Sequence, residues 1–151
     1  MASFYNEGLY FSCTKCSDCC RHESGIVLLS EKDVNILMEF IVEAEKIEYN
    51  CFIETYCRWV PVGTRYEQLS LKEKANFDCI FWEENGCSVY PARPLQCRAF
   101  PFWHSLLDSS KTWNHIAKYC SGIGKGTLVT RNEIEIWLKK QTSEPIITRK
   151  T

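Results

Sequence analysis

The sequence predicts a small α+β protein whose helices and short hairpin enclose a cysteine-rich site. Three observations lead there. An apolar stripe of helical period follows Ser30, another follows Thr130, and an Asn-Gly pair separates two short strand-like runs. With 151 residues, the chain is long enough to bury roughly 70% of its unfolded surface without cross-links. One metal-binding domain is expected over 1–141, followed by a loose tail over 142–151.

Ser30 precedes Glu31 and Asp33, so it reads as a helix cap with acidic residues in the first turn. Val34, Leu37, Met38, Ile41 and Val42 then recur at helical spacing, predicting an amphipathic helix over about 31–48. The stretch 49–69 is ambiguous, although Pro61 biases Val60 toward extended backbone. Ser70 and Glu73 have capping-box spacing and suggest a short helix over 71–76. In "CIFWEENGCSVY", Asn85-Gly86 supplies turn chemistry for a hairpin, with Cys79 at its entry and Cys87 just past the turn. Pro94 suits the start of a short helix carrying Cys97, which Phe100-Pro101 would end. "CSGIGKGTLVT" reads as a glycine-rich loop. Thr130 and Glu133 form another capping box, ahead of a helix whose apolar face is Ile134, Trp137 and Leu138.

Composition narrows the function. A net charge of −1, from 18 basic and 19 acidic residues, leaves no electrostatic footprint for nucleic acid. No run reaches the ~18 apolar residues of a membrane span. "MASFYNEGLYFSC" lacks the basic and apolar regions of a secretory signal, so the expected location is the cytoplasm. Ten cysteines in 151 residues fall below the ~8–10% of secreted disulfide scaffolds. In a reducing compartment, thiols this dense point to metal binding or redox chemistry.

Cys13, Cys16, Cys19 and Cys20 form C-x2-C-x2-C-C, while Cys79, Cys87, Cys97 and Cys120 stand singly downstream. Two-residue spacers let successive thiolates face one centre, as in structural zinc sites and iron–sulfur clusters. Adjacent side chains diverge, so Cys19 and Cys20 are expected to serve different centres, dividing eight thiols into four and four. Spacing leaves open which downstream cysteine joins which centre. It also leaves open whether the metal is iron–sulfur or Zn2+, the ferredoxin-like spacing of the first three tilting toward iron–sulfur. Cys51 and Cys57 lie outside the pattern and read as ordinary thiols.

The segments "FSCTKCSDCC", "CIFWEENGCSVYPARPLQCRAFPF" and "CSGIGKG" together resemble the CxxCxxCC, or YkgJ-type, cysteine-cluster family. The eight cysteines chosen by spacing are the eight that match. Trp82, Val89 and Ser121 stand where that pattern usually has Leu, Ile and Pro. The resemblance implies zinc or iron chelation. A related domain in flagellin lysine N-methylase also brings S-adenosylmethionine-dependent methyl transfer into view, so enzymatic activity stays an open question, as does a structural zinc module that presents a surface to a protein partner.

Other residues could serve such a centre. Gly122, Gly124 and Gly126 lack P-loop or dinucleotide spacing. Their bare backbone could approach a cofactor or cluster closely and aim N–H groups at its sulfurs. Arg93 and Arg98 flank Cys97 and either offset thiolate charge or pair locally. His22, His104 and His115 read as ordinary surface or core histidines. No nucleophile–base pair stands out.

Overall fold

The computed structural model describes residues 3–21, 24–41 and 47–151. In chain order the elements are β1 (Leu9–Phe11), α1 (Glu31–Ile41), α2 (Tyr49–Tyr56), β2 (Cys57–Val62), β3 (Tyr66–Leu71), β4 (Trp82–Glu83), β5 (Gly86–Cys87), a 3-10 turn (Tyr90–Ala92), α3 (Leu95–Ala99), α4 (Ser110–Ile116), β6 (Ile123–Val129), α5 (Arg131–Ser143) and β7 (Thr148–Lys150). The class is α+β, as expected. These elements gather into two compact units, one of Met1–Cys19 with Ala99–Ser143, the other of Cys20–Arg98 with Glu144–Thr151.

In the first unit, β1 and β6 pair antiparallel, with Leu9 opposite Val129 and Phe11 opposite Ile123. The expected glycine-rich loop is therefore mostly strand. Its core is Phe102, Leu107, Trp113, Ile123 and Ile134. Phe102 is stacked on Trp113 at 5.8 Å and meets the edge of Phe11 at 5.7 Å. α4, which the sequence left unassigned, starts where Ser109 Oγ accepts from the Thr112 amide. α5 begins with the expected capping box: the Thr130 amide donates to Glu133 Oε2 at 2.7 Å and the Glu133 amide donates to Thr130 Oγ1 at 3.4 Å. Thr130's two donors to Glu133 also hold that carboxyl below its ordinary range.

In the second unit, β2, β3 and β7 form an antiparallel sheet with β3 in the centre. Pro61 sits on edge strand β2, where its missing N–H leaves no ladder bond unmade. Leu29, Val34, Leu37, Phe52 and Leu69 are fully buried. At the start of α1, Ser30 and Asp33 cap each other, the Ser30 amide donating to Asp33 Oδ2 at 3.0 Å and the Asp33 amide to Ser30 Oγ at 3.1 Å. α1 carries the predicted stripe through Ile41, the expected continuation over 42–46 lies outside the described residues, and Ile47 and Glu48, also expected in the helix, are not helical because Glu48 already caps α2 in extended conformation.

Three sequence expectations give way. No helix forms over 71–76, because both members of that apparent capping box bond elsewhere. Ser70 Oγ accepts from the Val27 amide at 3.0 Å, and Glu73 takes the Gly25 amide and the Ser24 hydroxyl. In the β4–β5 hairpin, Glu83 pairs with Gly86, so the two-residue turn is Glu84-Asn85, one position early. The segment expected to be loose from Thr142 instead completes α5 and then forms β7. β3 has a second edge to satisfy, and β7 fills it with Glu67 opposite Arg149 and an ion pair between them at 2.8 Å.

Truncating each core tests this description. Phe52→Ala and Ile134→Ala, both at fully buried positions, are expected to cost about 2–5 kcal/mol each. Ile136→Ala, at an exposed site on the same helix as Ile134, should stay within about 0.5 kcal/mol. Urea-unfolding midpoints read all three.

Candidate metal centre

The eight cysteines singled out by spacing sort by unit. Cys13, Cys16, Cys19 and Cys120 fall in the first, while Cys20, Cys79, Cys87 and Cys97 fall in the second. The boundary runs between the adjacent pair, Cys19 and Cys20.

In the first unit, the strand pairing of β1 with β6 carries on past Phe11. The Ser12 amide donates to the Gly122 carbonyl at 3.2 Å, the Thr127 amide donates to Ser12 Oγ at 3.0 Å, and the hydroxyls of Thr14 and Ser121 are 2.6 Å apart. These bonds lay the Cys13 end of the opening motif along the chain that leaves Cys120. Two of the three glycines make room for it. A Cβ at Gly122 would strike the Ser12 carbonyl oxygen, and one at Gly126 would strike Ser12 Oγ, whereas Gly124 has nothing within 4 Å. Ser121, standing where the family pattern usually has Pro, supplies one hydroxyl of that clamp.

The spacers have matching geometry. Lys15, between Cys13 and Cys16, has φ 54°, and Ser17, between Cys16 and Cys19, has φ 69°. One left-handed residue per spacer bends the chain twice in the same sense, each at a cost of about 1–2 kcal/mol. The Lys15 amide donates to Cys13 Sγ at 3.4 Å. Cys120 is half-buried, with the backbone amides of Gly122 and Ile123 close by. Burial pushes its pKa up, those N–H groups oppose the rise, and the neighbouring Cys16 and Cys19 add to it. Cys13, Cys16 and Cys19 are exposed.

In the second unit, the Cys79 amide donates to the Cys20 carbonyl and the Trp82 amide to the Cys79 carbonyl, both at 2.8 Å. Cys87 lies directly opposite Trp82 in the hairpin. Cys97 sits in α3, whose first amide, that of Leu95, donates to the buried Asp33 at 2.8 Å. Local pairing accounts for both arginines beside Cys97. Arg93 Nε donates to the Tyr90 carbonyl at 2.9 Å with its guanidinium over the Tyr90 ring, and Arg98 lies 4.0 Å from Asp33. The cation that sequence reasoning missed is Arg21, beside Cys20. It contacts the buried Asp78 at 3.4 Å and lies 3.7 Å over the Trp82 ring. Its signal was available, since Arg21 follows one cysteine and Asp78 precedes another.

The remaining candidates lie apart from these arrangements. His104 bonds the Leu138 carbonyl and Thr142, His115 packs on Tyr119, and His22 lies outside the described residues. Cys51 is exposed on α2. Cys57 is buried, and desolvation pushes its thiol up to about 12 despite nearby Lys72.

In kind and number the thiols suit a thiophilic metal, with four per unit and, in the first, an amide donor turned to Cys13 Sγ. They do not yet close a coordination shell. Among the described residues, no three His, Cys, Asp or Glu side chains stand close enough to hold an ion.

A family model, CxxCxxCC, described as "Putative zinc- or iron-chelating domain", matches residues 12–121. The chain belongs to the CxxCxxCC family. The match spans most of its length and both cysteine sets, and it leaves the choice between zinc and iron open. No solved structure matches the chain significantly. No helix among the described residues is long and apolar enough to cross a membrane.

Two measurements probe this geometry. Gly122→Ala forces the Ser12 backbone away and should cost about 1–3 kcal/mol, whereas Gly25→Ala, with open space around it, should stay within about 0.5 kcal/mol. With iodoacetamide at pH 8, Cys51 should be alkylated orders of magnitude faster than Cys57, because the thiolate is the nucleophile. Peptide mass spectrometry reads the ratio, and Cys57 should catch up only as the pH approaches 12 or the chain unfolds.

Proposed function

We propose that this protein chelates metal through eight cysteine thiolates in two sets of four. Cys13, Cys16, Cys19 and Cys120 form one set, and Cys20, Cys79, Cys87 and Cys97 the other. The observation that carries the proposal is the sorting of these cysteines four to each unit, with the division falling inside the Cys19–Cys20 pair. Adjacent side chains diverge, so one peptide can feed two centres more easily than one.

Iron–sulfur clusters are the first reading for the occupant. The C-x2-C-x2-C run is the spacing by which ferredoxins hold three corners of a cluster. An amide N–H on a ligand sulfur, as that of Lys15 on Cys13 Sγ, is a device that tunes cluster potential. Zinc is the second reading, favoured by the count alone, since four thiolates complete a closed tetrahedral shell with no open position. In either case the four thiolates of each set would hold the occupant, whose positive charge would offset their mutual repulsion.

Anaerobic purification followed by metal and acid-labile sulfide analysis tests the proposal. Visible absorbance with sulfide matching iron selects clusters, and a colourless protein with two zinc ions selects zinc. Cys19→Ser and Cys20→Ser should each lose one centre and keep the other, with different spectral losses, in variants shown folded by circular dichroism. Cys51→Ser and Cys57→Ser should keep full metal content. Identical losses from the two adjacent cysteines would favour one shared centre.

A further inference from the structure

The indole Nε1 of Trp82 is buried, and among the described residues nothing accepts from its N–H. A buried N–H is almost always paired, so the orphan marks a place where an acceptor belongs. The surroundings indicate what kind. Trp82 is directly opposite Cys87, so the two side chains share a face of the hairpin with Cβ atoms about 4.5–5.5 Å apart. Its own amide is bonded to the Cys79 carbonyl, and the Cys79 amide is bonded to Cys20. Arg21 lies over one face of the ring, held there by Asp78. The backbone of Trp82 is thus tied to Cys79 and through it to Cys20, while Cys87 stands opposite in the hairpin.

We infer that Trp82 is a positioning residue of the second thiolate set, its indole N–H donating to a ligand sulfur, with Cys87 the opposed candidate. This inference rests on the chelation reading above. A metal-bound sulfur would be a charged acceptor, to which a donor bonds more strongly than to a neutral thiol. Loss of such an outer hydrogen bond typically lowers metal affinity about 10–100-fold.

The test uses the full chain with 15N-labelled tryptophan, freed of metal under reducing, anaerobic conditions and titrated with Zn2+. There are five tryptophans, and Trp82→Phe assigns the signal by its disappearance. The Trp82 indole proton should move downfield and exchange more slowly as zinc is taken up. Trp82→Phe, which keeps a ring for Arg21 to cover, should bind zinc about tenfold or more weakly in chelator competition, with unchanged stoichiometry. Zinc uptake with an unmoved Trp82 signal, or wild-type affinity in Trp82→Phe, overturns the inference while leaving chelation intact. No zinc uptake by the wild-type chain overturns chelation and this inference together. Should Trp82→Phe fail to fold, a through-space contact between the Cys87 β-protons and one indole assigns the Trp82 signal in the wild-type chain, where the two residues are opposed, and the shift on zinc uptake still decides.

Discussion

The seating of Ser12 against β6 is the constraint on which the first thiol set depends. Its hydroxyl meets the amide of Thr127, 115 positions along the chain. Closing so long a loop is entropically costly, and the cost rises only slowly with length, so a few well-placed bonds and a packed core can hold it. Phe11, the residue before, packs on Phe102, and Phe102 on Trp113. The polar bonds set the register and the aromatic stack supplies the burial. Neither would suffice with side chains at Gly122 and Gly126, where the volume they would fill already belongs to Ser12.

The second unit solves the same problem with buried carboxylates. Asp33 is almost wholly buried, yet both its oxygens are used. One accepts from Ser30 at the start of α1 and the other from the Leu95 amide at the start of α3. A single side chain thus caps one helix and fastens the short helix bearing Cys97. Asp78 does similar work beside Cys79, accepting from Asn76 and Arg21. An unpaired buried carboxylate would be costly, and pairing turns that cost into positional control of the residues next to each cysteine.

Local features were legible in the sequence, and long-range ones were not. α1 and α5 could be read because cap and apolar stripe lie within a dozen residues. The same reasoning failed at Ser70 and Glu73, whose spacing imitates a cap while their side chains bond to Ser24, Gly25 and Val27. β6 was hidden by its glycines, which weaken strand propensity but are present because another segment lies against them. β7 has no apolar alternation, since all three of its residues are exposed, and only the open edge of β3 makes it a strand. Spacing and resemblance singled out eight cysteines as candidate ligands, but the unit that each of their segments joins is encoded in no interval along the chain.

The left-handed turns at Lys15 and Ser17 have a consequence for engineering this arm. Side chains in that conformation sit uphill by about 1–2 kcal/mol each, a cost that glycine does not carry. Glycine at either position would relax the folded loop and at the same time enlarge the freedom of the unfolded chain. The two effects oppose each other, so the sequence with the least strain in the folded loop is not thereby the most stable one.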